Sequence, residues 1–487
     1  MTAIELKNVT FTYPGGESPT LKNVSLSVEK GELLVLCGQS GCGKTSIIRL
    51  INGLIPFYYP GELQGRVEVL GRNTAEGDIY DLGKKVSTVF QNPRSQFFCV
   101  DVMSELAFGA ENQNIASDEI LEKIQNSADT LGIRELLPRT MFQLSGGEKQ
   151  KIACACVSVT DNPIVVLDEP SSNLDMWAVE ELKTMIARWK RQGKTVVVAE
   201  HRLGYLQNLA DRFLYVSGGE IRESYSPEDF RNLSPAELEA RGLRALNYEN
   251  LEIRNRSITE EMLRLRDFRF QYRSSWEARL DIPELALPKG AVIGIIGRNG
   301  AGKSTFVRNF CGLQKKGKGL LFDEGKKLNQ SKRLDRSFLV MQDVNHQLFT
   351  QSVEEEITLS MGSKNQKDLG RLLSEFDLTS FREKHPMALS GGQKQRVAVA
   401  SAIASSRDFV VFDEPTSGLD LTHMKQVAQC ILDLQKRGKT VLLITHDLEL
   451  LFACCSQILH MEDGKVRDCY ALTEETKEKL QKFFLFS

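Results

Sequence analysis

A phosphate-binding loop written twice constrains this 487-residue chain more than any other feature. Gly38-Gln39-Ser40-Gly41-Cys42-Gly43-Lys44-Thr45-Ser46 lies between a buried-strand pattern, Leu33-Leu34-Val35-Leu36-Cys37, and the apolar start of a helix, Ile47-Ile48-Arg49-Leu50. Gly297-Arg298-Asn299-Gly300-Ala301-Gly302-Lys303-Ser304-Thr305 repeats it after Val292-Ile293-Gly294-Ile295-Ile296. In the spacing G-x-x-x-x-G-K-[ST] the glycines let backbone N–H groups curl around phosphate oxygens. Lys44 or Lys303 reaches the β- and γ-phosphates, and the hydroxyl of Thr45 or Ser304 ligates Mg²⁺. The positive end of the following helix adds to the pull on an anion. A single match can be a glycine turn that happens to carry a lysine, but recurrence after a second strand removes that reading. The expected ligand is a nucleoside triphosphate.

Two loops argue for two domains, and the length fits two to four. The net charge of −2 asks for neither nucleic acid nor an anionic membrane surface. No run approaches the ~18 apolar residues of a membrane helix, and the opening Met1-Thr2-Ala3-Ile4-Glu5 carries no signal-peptide pattern. The ten cysteines are scattered without zinc-site spacing, so free thiols in a reducing cytosol are the simplest account.

The motifs come in the same order in both halves. Phe11-Thr12-Tyr13 is matched by Phe270-Gln271-Tyr272, so Tyr13 and Tyr272 are candidates to stack on the adenine base, with an ordinary strand tyrosine as the plain alternative. The strands Val86–Phe90 and Ser337–Met341 each run into a glutamine, Gln91 or Gln342, with a second one five residues later at Gln96 or Gln347. Leu144-Ser145-Gly146-Gly147 and Leu389-Ser390-Gly391-Gly392 open helices, where a capping serine and exposed N–H groups can meet a phosphate. Ile164–Leu167 and Phe409–Phe412 run into Asp168-Glu169-Pro170 and Asp413-Glu414-Pro415. That pattern describes a buried parallel strand whose C-terminal end faces the ligand. Asp168 and Asp413, with Gln91 and Gln342, are expected to hold Mg²⁺, and Glu169 and Glu414 to polarise the attacking water. His201 and His446, at the ends of two more buried strands, are expected to contact the γ-phosphate.

The spacing is kept where chemistry requires it. From the signature serine to the aspartate is 168 − 145 = 23 positions in one half and 413 − 390 = 23 in the other; from that aspartate to the histidine is 33 in both. From the lysine to the glutamine the halves differ, 91 − 44 = 47 against 342 − 303 = 39, which puts the variation in surface loops. The reading divides the chain into a first domain at 1–228, a charged linker at 229–262 and a second domain at 263–487.

This set of motifs resembles the ATP-binding cassette (ABC) ATPases, twice over and along nearly the whole chain. The resemblance implies two tandem α/β P-loop NTPase domains, each with an antiparallel β-subdomain and a helical subdomain. It also implies a head-to-tail internal pseudo-dimer with two hydrolytic sites. One would combine Lys44, Gln91, Glu169 and His201 with Ser390, Gly391 and Gly392; the other Lys303, Gln342, Glu414 and His446 with Ser145, Gly146 and Gly147. A finer likeness is to the fused ATPase of energy-coupling factor (ECF) transporters. It is carried by Gln91-Asn92-Pro93-Arg94-Ser95-Gln96-Phe97-Phe98, His346-Gln347-Leu348-Phe349, Glu105–Gly109, Glu355-Glu356-Ile357 and Ala199-Glu200-His201-Arg202. Arg94-Ser95 departs from the frequent form of that loop, and the second half lacks its Asn-Pro. The ECF likeness implies a motor on the cytoplasmic face of a membrane, bound to a transmembrane coupling subunit and a membrane-embedded substrate-binding subunit. A soluble tandem ABC ATPase acting on ribosomes is the alternative; those proteins carry a long basic linker, and residues 226–262 are mixed in charge.

Overall fold

The computed structural model describes all residues except 92, 173, 250, 254–259, 272–279, 362–367 and 486–487. The chain forms two compact units, Met1–Asn247 and Tyr248–Ser487. In the first, strands β1 (Thr2–Thr12), β2 (Leu21–Glu29), β4 (Glu62–Val69) and β5 (Arg72–Asn73) form an antiparallel sheet in the order β2-β1-β4-β5. A second, mixed sheet runs β10-β9-β3-β8-β7-β6, from β3 (Leu33–Cys37), β6 (Val86–Val89), β7 (Ile164–Asp168), β8 (Thr195–Ala199), β9 (Arg212–Ser217) and β10 (Glu220–Tyr225). Only the β9–β10 pair in it is antiparallel.

β3, β7 and β8 are buried at every residue because both sheet faces are covered. Along β3, Leu34 and Leu36 face a core shared with the antiparallel sheet and with Ile47, Ile48, Leu50 and Ile51 of the Lys44–Ile51 helix. Leu33, Val35 and Cys37 face the opposite core, with Leu182, Ile186 and Trp189 of the Met176–Arg191 helix. A separate helical layer closes on its own apolar cluster: Val102 and Leu106 from Val102–Asn112, Ile120 and Ile124 from Ser117–Leu131, and Ile152 and Ala155 from Gly146–Thr160.

The second unit repeats the plan. β11 (Met262–Phe270), β12 (Leu280–Pro288), β14 (Lys318–Asp323) and β15 (Lys326–Leu328) order as β12-β11-β14-β15. β13 (Val292–Ile296), β16 (Ser337–Val340), β17 (Phe409–Asp413), β18 (Thr440–Ile444), β19 (Gln457–Glu462) and β20 (Lys465–Ala471) order as β16-β17-β18-β13-β19-β20, the first unit's sequence read from the other edge. Helices Val353–Met361, Leu369–Glu375 and Gly391–Ala404 make its helical layer.

The first part of the segment expected as linker is folded. Short helices Pro227–Arg231 and Pro235–Ala240 start at capping serines, Ser226 and Ser234, and Phe230, Leu238, Leu243 and Leu246 enter the core beneath the Met176–Arg191 helix. Phe230 stacks flat on Phe213 of β9, with centroids 3.9 Å apart. Net polarity hides this, because four well-spaced apolar side chains anchor an otherwise charged stretch. Residues 254–259 lie outside the described set.

Candidate active site

Sheet register builds the site. Asp168 pairs with Ala199 across β7 and β8, and Leu36 of β3 pairs with Ala199 on the other side, so the phosphate loop, the Asp-Glu pair and the histidine leave the sheet side by side. In the second unit Asp413 pairs with Ile444, and Ile295 with Ile444. The loop glycines are required by space and conformation. Gly38 has φ 147°, and a Cβ there would lie 2.1 Å from the Val216 carbonyl oxygen; Gly297 has φ 149° with Met461 O at 2.3 Å. Gln39 and Gly41, like Arg298, Asn299 and Gly300, form an exposed rim, while Lys44 and Lys303 are buried. The folded segment after 228 reaches this rim: a Cβ on Gly242 would meet Gln39 Nε2 at 2.5 Å.

Lys44 Nζ donates to the carbonyls of Gly38 and Gln39, both at 2.9 Å, with Cys42 Sγ at 3.8 Å. Lys303 Nζ donates likewise to Gly297 (2.5 Å) and Arg298 (3.0 Å), and has His446 Nε2 at 3.3 Å. The Thr45 hydroxyl donates to Asp168 Oδ1 at 3.0 Å, and the Ser304 hydroxyl hydrogen-bonds Asp413. Burial, and then the adjacent Glu169 carboxylate, push Asp168 up to about 7; burial raises Asp413 as well. Such carboxylates, each beside a hydroxyl, are a hard-oxygen pair that a divalent cation would neutralise, and Mg²⁺ fits them as a partner delivered with phosphates. Among the described residues no group of three or more metal-ligating side chains exists, so phosphate oxygens and water would complete the shell.

Glu169 and Glu414 sit at positive φ, 45° and 53°, where a β-carbon is strained. Their amides donate to Ala199 O (2.8 Å) and Ile444 O (2.9 Å), which fixes the turn. Gln91 Nε2 donates to Glu169 Oε2 at 2.6 Å, and His201 Nε2 lies 3.1 Å from Glu169 Oε1. Burial works to raise Glu169, but the neighbouring His201, Lys44 and Gln91 prevail and hold it below the ordinary glutamate value. In the second unit His446 Nε2 is 3.5 Å from Glu414 Oε1. Gln342 occupies the same place after its strand and is exposed, but no hydrogen bond joins it to Glu414. The arrangement holds a carboxylate acceptor beside the hydroxyl–aspartate pair and a buried lysine, which is what activation of water against a bound phosphate requires.

Tyr13 is tied to the start of this helix, its hydroxyl 3.1 Å from Ser46 Oγ and accepting from Arg49 Nη1 at 2.9 Å. Tyr272 lies outside the described residues, and Thr305 is half-buried next to Ser304. Ser145 and Ser390 cap their helices reciprocally with Glu148 and Gln393. Gly146 and Gly391 are exposed, with nothing within 4 Å of a built Cβ. Their first-turn amides lack intrahelical acceptors, and Ser145 hydrogen-bonds only within its own turn. None of these hydrogen bonds of Ser145 joins it to its own unit's phosphate loop.

Several carboxylates and amides with site-building roles escaped the sequence reading. Gln96 Oε1 accepts from Phe90 N and its Nε2 donates to Thr88 O; Gln347 Oε1 accepts from Met341 N. The recurrent second glutamine therefore folds the loop back on its strand, and its matched spacing was the available signal. Buried Glu105 accepts from Phe98 N and Cys99 N, and Glu356 from Phe349 N and Thr350 N. Glu200, 2 % exposed, was noted only as part of a resemblance.

The family model described as "ABC transporter" matches residues 21–172 and 280–417. A protein of Treponema denticola named as an ABC transporter ATP-binding protein is 40% identical over 471 residues, covering 95% of this chain and 96% of its own length. One of the same name from Methanosarcina mazei is 32% identical, covering 95% and 88%. Among solved structures, a ribosome-bound archaeal Pelota and ABCE1 model superimposes with a TM-score of 0.69 at 21% identity, over 98% of this chain and 80% of that one. RNase-L Inhibitor gives 0.66 at 20% identity, over 98% and 92%. At those identities the likeness is one of fold.

Proposed function

From the premise that this chain belongs to the ABC transporter ATP-binding family, we propose that it is the ATP-hydrolysing motor of an importer of the energy-coupling factor type. The observation that carries this reading is a pair of exposed phenylalanines at one position of both units, seven residues after the glutamine: Phe98, 76% exposed, and Phe349, 73% exposed. A soluble enzyme gains nothing from two such side chains, whereas an apolar helix of a membrane partner would cover them. In the first unit Phe98 stacks on Phe108 with centroids 5.2 Å apart, at the mouth of a groove of about 290 Å³ that Val86, Tyr80 and Cys156 also line. None of the described helices is long and apolar enough to cross a membrane, so the transported substrate, a vitamin, metal ion or other micronutrient, would pass through partner subunits. Those partners are a transmembrane coupling protein and a membrane-embedded binder, with this chain on the cytoplasmic face.

ATP and Mg²⁺ are the cofactors of the proposed cycle. In each unit the lysine would neutralise the β- and γ-phosphates, the hydroxyl–aspartate pair would hold Mg²⁺, and the glutamate would accept a proton from water that the histidine helps to orient. Adenine would stack on Tyr13 and on Tyr272. The signature residues Ser145, Gly146 and Gly147 would complete the site of Lys303, and Ser390, Gly391 and Gly392 that of Lys44. Exposed first-turn amides unattached to their own phosphate loop support that exchange. Covalent fusion keeps the two units at high effective concentration.

The test is a pull-down of tagged chain from gently solubilised membranes, with every stoichiometric partner identified and ATPase activity assayed on the complex. Recovery of one multi-span protein and one small membrane-embedded binder is expected. Recovery on ribosomes, or alone, would overturn the importer reading and leave the ATPase assignment standing.

A further inference from the structure

The two histidine loops are built on different carboxylates. In the first unit Glu200 immediately precedes His201 and is buried with four donors on it: His201 N at 2.7 Å and Arg202 N at 3.1 Å on Oε1, Ser171 N at 3.3 Å and the Tyr205 hydroxyl at 3.0 Å on Oε2. One side chain thus joins the loop after β8, which carries His201, to the loop after β7, which carries Glu169. In the second unit the matched position is Thr445, whose hydroxyl accepts from Asp447 N at 3.0 Å. The two loops are joined there by Asp447, one residue after the histidine, which accepts from the Thr416 hydroxyl at 2.8 Å.

The consequence falls on the reacting carboxylates. With the Thr445 hydroxyl taken by Asp447 N, the His446 amide donates to Glu414 Oε2 at 3.3 Å. In the first unit the same amide is taken by Glu200, and Glu169 is held by two side chains, Gln91 and His201. A side chain can swing aside when water and a cation arrive, but a backbone amide just beyond the end of a sheet strand keeps its claim on the oxygen.

We infer that Glu200 is a positioning residue for hydrolysis at Glu169: it takes up the His201 amide and so leaves the Glu169 oxygens to side chains that can yield them to water, not to the backbone, which makes the first unit's site the faster of the two. This rests on the hydrolytic role of Glu169, which loss of turnover on changing both Glu169 and Glu414 to Gln tests by itself.

The experiment uses the full chain in two backgrounds, Glu414→Gln to isolate Glu169 and Glu169→Gln to isolate Glu414, with kcat and KM for MgATP measured in each. The Glu414→Gln chain is expected to retain the larger kcat. Adding Glu200→Thr, the residue of the second unit, lowers its kcat about ten-fold with KM within two-fold, the size of effect misplacement of a reacting group produces. In the Glu169→Gln background the same substitution changes kcat by less than about two-fold, against the ten-fold positioning effect. A kcat unaltered in the first background, or lowered equally in both, overturns the inference. If the Thr variant does not fold, Glu200→Gln decides: with one acceptor oxygen instead of two it loses about three-fold in kcat, intermediate on the same positioning scale. An unchanged kcat in that variant overturns the inference equally.

Discussion

The two units share a strand order and a site frame but differ in what holds each frame together. The first ties its glutamate through Gln91 and His201, carries Cys42 inside the phosphate loop and anchors its signature helix at Lys151, which pairs with Glu181 at 2.8 Å. The second sets Lys303 against His446, has Ala301 at the Cys42 position and buries Arg396 in the place of Lys151. Arg396 Nη1 lies 2.8 Å from His423 Nε2, and His423 Nδ1 lies 2.9 Å from buried Asp420, the cap of the next helix. The two units thus share the loop lysine, the Asp-Glu pair and the histidine while their supports differ, since a support needs only the right shape and a satisfied hydrogen bond.

The strongest way to break this comparison is at the glutamates. Changing both Glu169 and Glu414 to Gln is expected to lower steady-state ATP turnover at least about 100-fold while MgATP binding, measured by equilibrium titration, survives. Turnover near the parent rate would remove both from the chemistry. The glutamines should separate the units more finely. Gln91→Ala breaks a 2.6 Å bond to the carboxylate and is expected to cost about ten-fold in kcat in the Glu414→Gln background. Gln342→Ala in the reciprocal background costs about three-fold at most on the same scale. Equal losses would mean that the bond seen in one unit forms in both during turnover.

A smaller effect is expected from supports. His423→Ala leaves the buried Arg396 guanidinium without its imidazole acceptor and removes a contact from Asp420, at about 1–2 kcal/mol. Hydrogen exchange should quicken in Gly391–Ala404 and Leu421–Lys436, whereas Ala178, the matched position in the first unit, has no such bond to lose. Faster exchange in the first unit instead would contradict a local tie. The smallest effect is kinetic. Burial raises the Cys42 thiol above its ordinary value, so its thiolate is scarce near neutrality and alkylation should climb only at pH above the usual thiol range. MgATP is expected to slow labelling a few-fold and Cys42→Ser to abolish the inhibition that follows it. Inhibition persisting in that variant would assign it to another thiol.

Much of this architecture is legible in the sequence because its signals are local. Uninterrupted runs such as Val196-Val197-Val198 read as strands buried on two faces, and the motif loops read as the turns that leave their C-terminal ends. Partnerships at a distance are not legible. Nothing near Glu200 announces Ser171, 29 positions away, as its donor, and nothing near Glu105 distinguishes a buried loop clamp from a solvated helix residue. The anchoring of 229–247 was hidden for a related reason: burial there depends on Phe213, whose approach is set by strand order and not by neighbouring residues.

The left-handed backbone at Glu169 and Glu414 carries a cost. A side chain held at φ near +50° costs of order 1 kcal/mol that glycine would not. Replacement by glycine at either position would relieve that backbone strain and at the same time remove the carboxylate that its neighbours hold. Each unit thus holds a carboxylate at this turn against the conformational preference of its own backbone.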